Sequence, residues 1–144
     1  MRGAIDMEER QGNKYDVLLT ITSLLSILLL TFHLADDIVR GFEKGNVSNL
    51  AAVPIFVVWL YGTLVLAKRR SGYIIILLAS LLSLGVPVIH MMGKGVGPGS
   101  RVFGSHGAFF FVWTLIAMGV TGLFSLILSV HGLWRLPWRR RDAG

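Results

Sequence analysis

The sequence predicts an all-α integral membrane protein, with four transmembrane helices running up-down-up-down in one bundle. Four stretches of the 144-residue chain contain no Asp, Glu, Lys or Arg: Val17 to Ala35, Val47 to Ala67, Ser71 to Gly93 and Val102 to Trp134. Each supplies the roughly 20 apolar residues that a spanning helix needs. Composition agrees, because 53% hydrophobic residues and a mean hydropathy of +0.66 exceed, and 15% charged residues fall below, what a soluble domain of this size carries. No polar stretch is long enough to bury a core of its own, so one membrane domain over residues 1–144 is expected.

The third observation is where the positive charge lies. Arg2, Arg10 and Lys14 precede the first span, Lys68, Arg69 and Arg70 separate the second from the third, and Arg135, Arg139, Arg140 and Arg141 follow the fourth. Only Arg40, Lys44, Lys94 and Arg101 fall on the other side. The positive-inside rule then places both termini and the Lys68-Arg69-Arg70 turn in the cytoplasm, in a cell membrane of inner-membrane type. The net charge of +6 is therefore a topology signal rather than a nucleic-acid footprint, since no stacking or groove-reading module accompanies it. Trp134 and Trp138 beside Arg139, Arg140 and Arg141 read as an interfacial anchor to the lipid bilayer.

Taken in order, the first helix is expected near 15–39. It reads as permanent rather than as a signal peptide, because acidic residues precede it and its uncharged run exceeds a usual signal core. The second is expected near 50–67, with Pro54 in its first turn, where a missing N–H costs least. The third is expected near 72–92, and its Pro87 frees a backbone carbonyl that lipid cannot satisfy, which favours a protein-facing position. The fourth is expected near 108–133, after a glycine-dense loop. Such short connections force neighbouring helices to be antiparallel.

An internal echo suggests two repeated helical hairpins related by a pseudo-two-fold along the membrane normal. Ser23-Leu24-Leu25-Ser26 precedes His33 by the same spacing with which Ser80-Leu81-Leu82-Ser83 precedes His90. Phe56-Val57-Val58-Trp59 similarly matches Phe110-Phe111-Val112-Trp113. At 3.6 residues per turn, Thr22, Ser26, His33 and Asp36 or Asp37 share one face, and Ser80, Ser83, Pro87 and His90 share another. Trp113, Ala117, Thr121 and Ser125 form the corresponding stripe of the fourth helix. Small and polar stripes are expected to face the bundle interior.

These stripes converge on an outer-mouth pocket of His33, Asp36, Asp37, His90, Met91, Met92 and His106. Its simplest use is non-catalytic binding, in an accessory subunit of a larger membrane complex or a homo-oligomer. The alternative is an oxidoreductase component. Haem b would be ligated by His33 and His90, whose helices should stand roughly 11 to 14 Å apart as a diagonal pair. A transition-metal ion would be held by His33, Asp37, His90 and His106, and the thioethers of Met91 and Met92 would incline it toward copper.

Other chemistries fit the sequence less well. The chain has no cysteine, which removes thiol redox chemistry and Cys-ligated metals. No phosphate loop and no recognisable nucleophile elbow is present. In size and number of spans the chain resembles small multipass multidrug exporters and oxidoreductase anchors. It lacks the exporters' membrane-embedded acidic residue, and likeness to an anchor implies a partner.

Overall fold

The structure, a computed structural model, describes residues 2–92, 102 and 104–136. Four α-helices make up an all-α bundle: α1 (Arg2–Val39), α2 (Ala52–Leu64), α3 (Arg70–Met92) and α4 (Ala108–Arg135), with a 3-10 turn at Val47–Ala51 leading into α2. Each span, the turn and α2 counted together, is long and apolar enough to cross a membrane. The chain is thus a small four-helix membrane protein.

α1 begins well before the expected residue 15. Ala4, Met7, Glu8, Glu9, Arg10, Gln11 and Lys14 are strong helix formers, and Asp6 stands four residues before Arg10, the favourable order for an acid and a base. At 1.5 Å per residue its 38 residues measure roughly 57 Å, far more than a hydrocarbon core of roughly 30 Å. The charged first turns therefore extend past the apolar span.

α2 is shorter than expected because the chain enters it through a capped turn. The Asn46 side chain accepts from the Ser48 N–H and the Asn49 side chain accepts from the Asn46 N–H, both at 3.0 Å. This is the reciprocal logic of a capping box. Pro54 is the third residue of α2, inside the first turn as expected. At the other end the chain reverses tightly through Lys68, whose φ is 64°. Gly72 is required there, because a Cβ would strike the backbone carbonyl of Leu66.

α4 packs along both α1 and α3, while α2 leans on α3 and more lightly on α1. Glycines let these helices approach: a Cβ on Gly62 would lie 2.5 Å from Ile75, and one on Gly132 would overlap the Tyr73 ring. The buried positions of α1 are Leu19, Ser23, Ser26, Leu30, His33 and Asp37, alternating steps of four and three. Its opposite face, with Leu18, Ile21, Leu25, Leu28 and Phe32, is exposed for lipid. On α3, Ser80 and Ser83 are fully buried, and half-buried Pro87 faces α4 beside Gly119. The four serines of the internal echo are thus alike in burial, whereas His33 is buried and His90 half-buried.

The tryptophans of the echo are not alike. Trp59 is 1% exposed, whereas Trp113 is 55% exposed. The inner face of α4 is instead Phe111, Thr114, Leu115, Met118, Gly122, Ser125 and Ser129. Of the expected stripe, Ser125 is buried, Ala117 and Thr121 are half-buried and Trp113 is exposed, because steps of four residues drift by about 40° each around the helix.

Apart from Ser83 Oγ, which has no hydrogen-bond partner among the described residues, the buried hydroxyls bond to backbone or to one another, as an apolar solvent demands. Ser23 and Thr63 share a hydrogen bond of 2.7 Å, and Trp59 Nε1 donates to Ser23 Oγ at 2.9 Å. Ser26 donates to Thr121 at 3.0 Å and Ser125 to Thr22 at 2.9 Å. Each bond ties one helix to another.

Candidate metal centre

α1 ends in a Schellman motif that shapes the site. Gly41, at φ 75°, donates to the Ile38 carbonyl at 3.1 Å, and Phe42 donates to the Asp37 carbonyl at 2.9 Å. The motif folds Phe42 back toward the bundle, where its ring lies 5.9 Å from Phe111 and 6.4 Å from His90.

Under this roof α1 and α3, the diagonal pair, bring their histidines together. His33 Nε2 and His90 Nε2 are 3.1 Å apart, with the rings edge to face. Asp37 Oδ2 lies 3.6 Å from His33 Nε2 and 3.5 Å from His90 Nε2. The three residues thus converge with one donor atom each, all mutually within 4.8 Å. His33 is 1% and Asp37 7% exposed. The second carboxylate oxygen, Asp37 Oδ1, is buried and has no hydrogen-bond partner among the described residues.

Phe111 supports both imidazoles, at 4.9 Å from the His33 ring and 5.3 Å from the His90 ring. Thr114 Oγ1 donates to the Phe111 carbonyl at 2.9 Å, which leaves a lone pair toward His33 Nδ1, 3.5 Å away. A proton on His33 Nδ1 fits that lone pair and leaves Nε2 as the free base. A cavity of about 260 Å³ adjoins the cluster, and Glu43 stands at it with His33, Asp37 and His90.

The other expected members take different places. Asp36 pairs with Arg40 at 2.8 Å. Arg40 also donates to Ser105 Oγ at 2.9 Å and to the Gly107 carbonyl at 2.7 Å, so it clamps the loop before α4. That clamp fixes the backbone around His106 and leaves the residue exposed, outside the His33, Asp37 and His90 group. The side chains of Met91 and Met92 lie outside the described residues, as do Trp138, Arg139, Arg140 and Arg141. Lys68 and Trp134 are exposed at the opposite end of the bundle, and Arg69 and Arg70 are exposed in the same tight turn.

Phe42, Glu43, Phe111 and Thr114 are the site residues that sequence reasoning missed. For Phe42 and Glu43 the available signal was Gly41, since glycine just past a helix end turns the following two residues back onto it.

Fold and site define a small helical membrane protein with a buried His-Asp-His cluster near one end of its bundle. No protein-family model, curated protein or solved structure matches the chain.

Proposed function

We propose that this protein binds one first-row transition-metal ion through His33 Nε2, His90 Nε2 and the Asp37 carboxylate, and serves as a metal-binding or accessory component of the membrane. The observation that carries this is the donor triangle, whose sides are 3.1, 3.5 and 3.6 Å. An ion bound tetrahedrally at about 2.0 to 2.1 Å separates its ligand atoms by about 3.3 to 3.4 Å. The side chains are therefore already spaced like one face of a tetrahedral site. The fourth position would open toward the cavity that Glu43 borders.

Electrostatics support the same assignment. A buried carboxylate oxygen without a donor is costly in a low-dielectric interior, and a cation relieves that cost. To become a ligand, neutral His90 moves the shared proton from Nε2 to Nδ1, a change of tautomer that keeps the ring neutral. Two imidazoles and a carboxylate suit Zn²⁺ and also Cu²⁺, which heads the affinity series. A preference for copper beyond that order rests on Met91 and Met92. The donor spacing favours an ion over haem, since two nitrogens on opposite faces of a haem iron stand about 4 Å apart and Phe111 fills the space beside both rings.

The charge distribution supports a site on the outer side of a cell membrane with both termini cytoplasmic, in a single membrane domain. Self-association or a larger membrane complex is the setting proposed for it. Purified protein stripped with a chelator and reloaded is expected to retain one Zn²⁺ or Co²⁺ per chain, with the visible bands of tetrahedral Co²⁺. Elemental analysis finding no stoichiometric metal after reloading would overturn the proposal. Thr114→Val should keep the shape but lose the Nδ1 acceptor, weakening Zn²⁺ by about tenfold. Competitive titration against a chelator measures this, and an unchanged affinity removes Thr114 from the site.

A further inference from the structure

The end of the bundle carrying Lys68 holds a second polar cavity, of about 200 Å³, that the metal centre does not use. It forms where the early turns of α1, the start of α3 and the last turns of α4 meet. Tyr73 donates to Asp16 Oδ1 at 2.7 Å, and Lys68 Nζ stands 3.8 Å from Asp16 Oδ2. Both oxygens of Asp16, the one acid among the described residues that line the cavity, are thus engaged within the protein. Tyr15 lies against His131 at 5.1 Å between ring centroids, and the Arg135 guanidinium sits 4.5 Å over the same Tyr15 ring.

One polar function is left over. His131 Nε2 is buried and has no hydrogen-bond partner among the described residues. It lines the cavity together with the two cations, Lys68 and Arg135. The remaining wall is apolar, with Leu19, Leu128 and Leu136. Trp134, 83% exposed, stands at the same end of the bundle, and tryptophan is enriched at membrane–water interfaces. Lys68 also holds a left-handed backbone conformation that glycine would adopt with less strain. Its ammonium also donates to Asn13 Oδ1 at 3.4 Å, and with Asp16 this holds the side chain at the cavity.

We infer that this cavity binds the phosphate of an anionic phospholipid headgroup, between Lys68, Arg135 and the His131 imidazole. Two cations outweigh one internally satisfied carboxylate, so the cavity attracts an anion. His131 Nε2–H donates to a phosphate oxygen and so gains the partner it lacks. Arg135, held by stacking on Tyr15, presents its planar donors to the same group. The leucine wall receives the glycerol and first methylenes, which free phosphate cannot exploit. This inference is independent of the metal centre.

Native mass spectrometry of the delipidated protein, titrated with phosphatidylglycerol, phosphatidylcholine or inorganic phosphate, tests it. One phosphatidylglycerol should bind per chain, and phosphatidylcholine about tenfold more weakly. Arg135→Gln and His131→Leu should each weaken phosphatidylglycerol by about fivefold, while Arg135→Lys and His131→Gln recover part of the loss with helicity unchanged. Arg10→Gln removes the same charge from the same end outside the cavity and should have little effect. Equal losses in Arg10→Gln and Arg135→Gln would show bulk attraction and overturn the site. Displacement by equimolar inorganic phosphate would show an ion site instead of a lipid site, and phosphatidylcholine binding as tightly as phosphatidylglycerol would remove the anionic requirement.

Discussion

His33→Ala is expected to abolish stoichiometric metal binding. His33 supplies one of only three donors, and it is the most buried of them, so no neighbouring group among the described residues is placed to substitute. Thermal unfolding provides a second readout. An ion that binds only the folded state, present at a hundredfold its dissociation constant, stabilises by about 2.7 kcal/mol. Added Zn²⁺ should therefore raise the melting temperature of the wild type and leave that of His33→Ala unmoved. Removing a buried ring also leaves a cavity against Phe111, which lowers stability without metal. Asp37→Asn separates the two effects: it is nearly isosteric, keeps a hydrogen-bonding group and removes the charge. It should retain the apo melting temperature and lose most of the metal-induced rise. If Zn²⁺ stabilises His33→Ala as much as the wild type, the ion binds elsewhere and the His-Asp-His centre is not the site.

How far the sequence could be read depended on which physical signal each feature left in it. The four spans were legible because charge is expensive in hydrocarbon, so uncharged runs mark them directly. Helix ends were less so. Charged residues 2–14 mark an exit from the membrane but not from the helix, and their propensities continue α1 to Arg2. Phase was legible on α1 and α3, where His33 and His90 sit above serines on a single face. On α4 both lipid and protein neighbours are apolar, so hydropathy alone does not choose between Trp113 and Phe111. Thr114, Ser125 and Ser129 held the answer, since offsets of eleven and fifteen return close to one direction. Pairing of His33 with Asp37 followed from their one-turn spacing. That the diagonal helices approach until two imidazole nitrogens are 3.1 Å apart did not, because close approach depends on packing partners such as Phe111. The placement of His106 was equally hidden, being decided by Arg40 reaching across to the loop.

Trp59→Ala is expected to cause the largest loss of stability, about 3 to 4 kcal/mol. α2 buries only Trp59, Gly62 and Thr63, so its attachment depends on very few side chains. Trp59 belongs with Leu30, Phe111 and Met118 to the main apolar cluster, and Phe111 lies against the His33 and His90 rings. Lipid tails are as apolar as this cluster, so the loss comes from vacated volume and forfeited dispersion contacts rather than from transfer out of water. Trp59→Phe keeps most of the volume but removes the Nε1 bond to Ser23, and should cost only about 0.5 to 1 kcal/mol beyond the small change in packing. Ser23→Ala combined with Trp59→Phe should then cost less than the sum of the two single changes, because both delete the same bond. Reversible unfolding in mixed detergent measures all three. Should Trp59→Phe prove as damaging as Trp59→Ala, the indole hydrogen bond rather than filled volume would be what secures α2. Because Phe111 touches both Trp59's cluster and the two imidazoles, Trp59→Ala should also weaken Zn²⁺ binding, although no atom of Trp59 borders the ion.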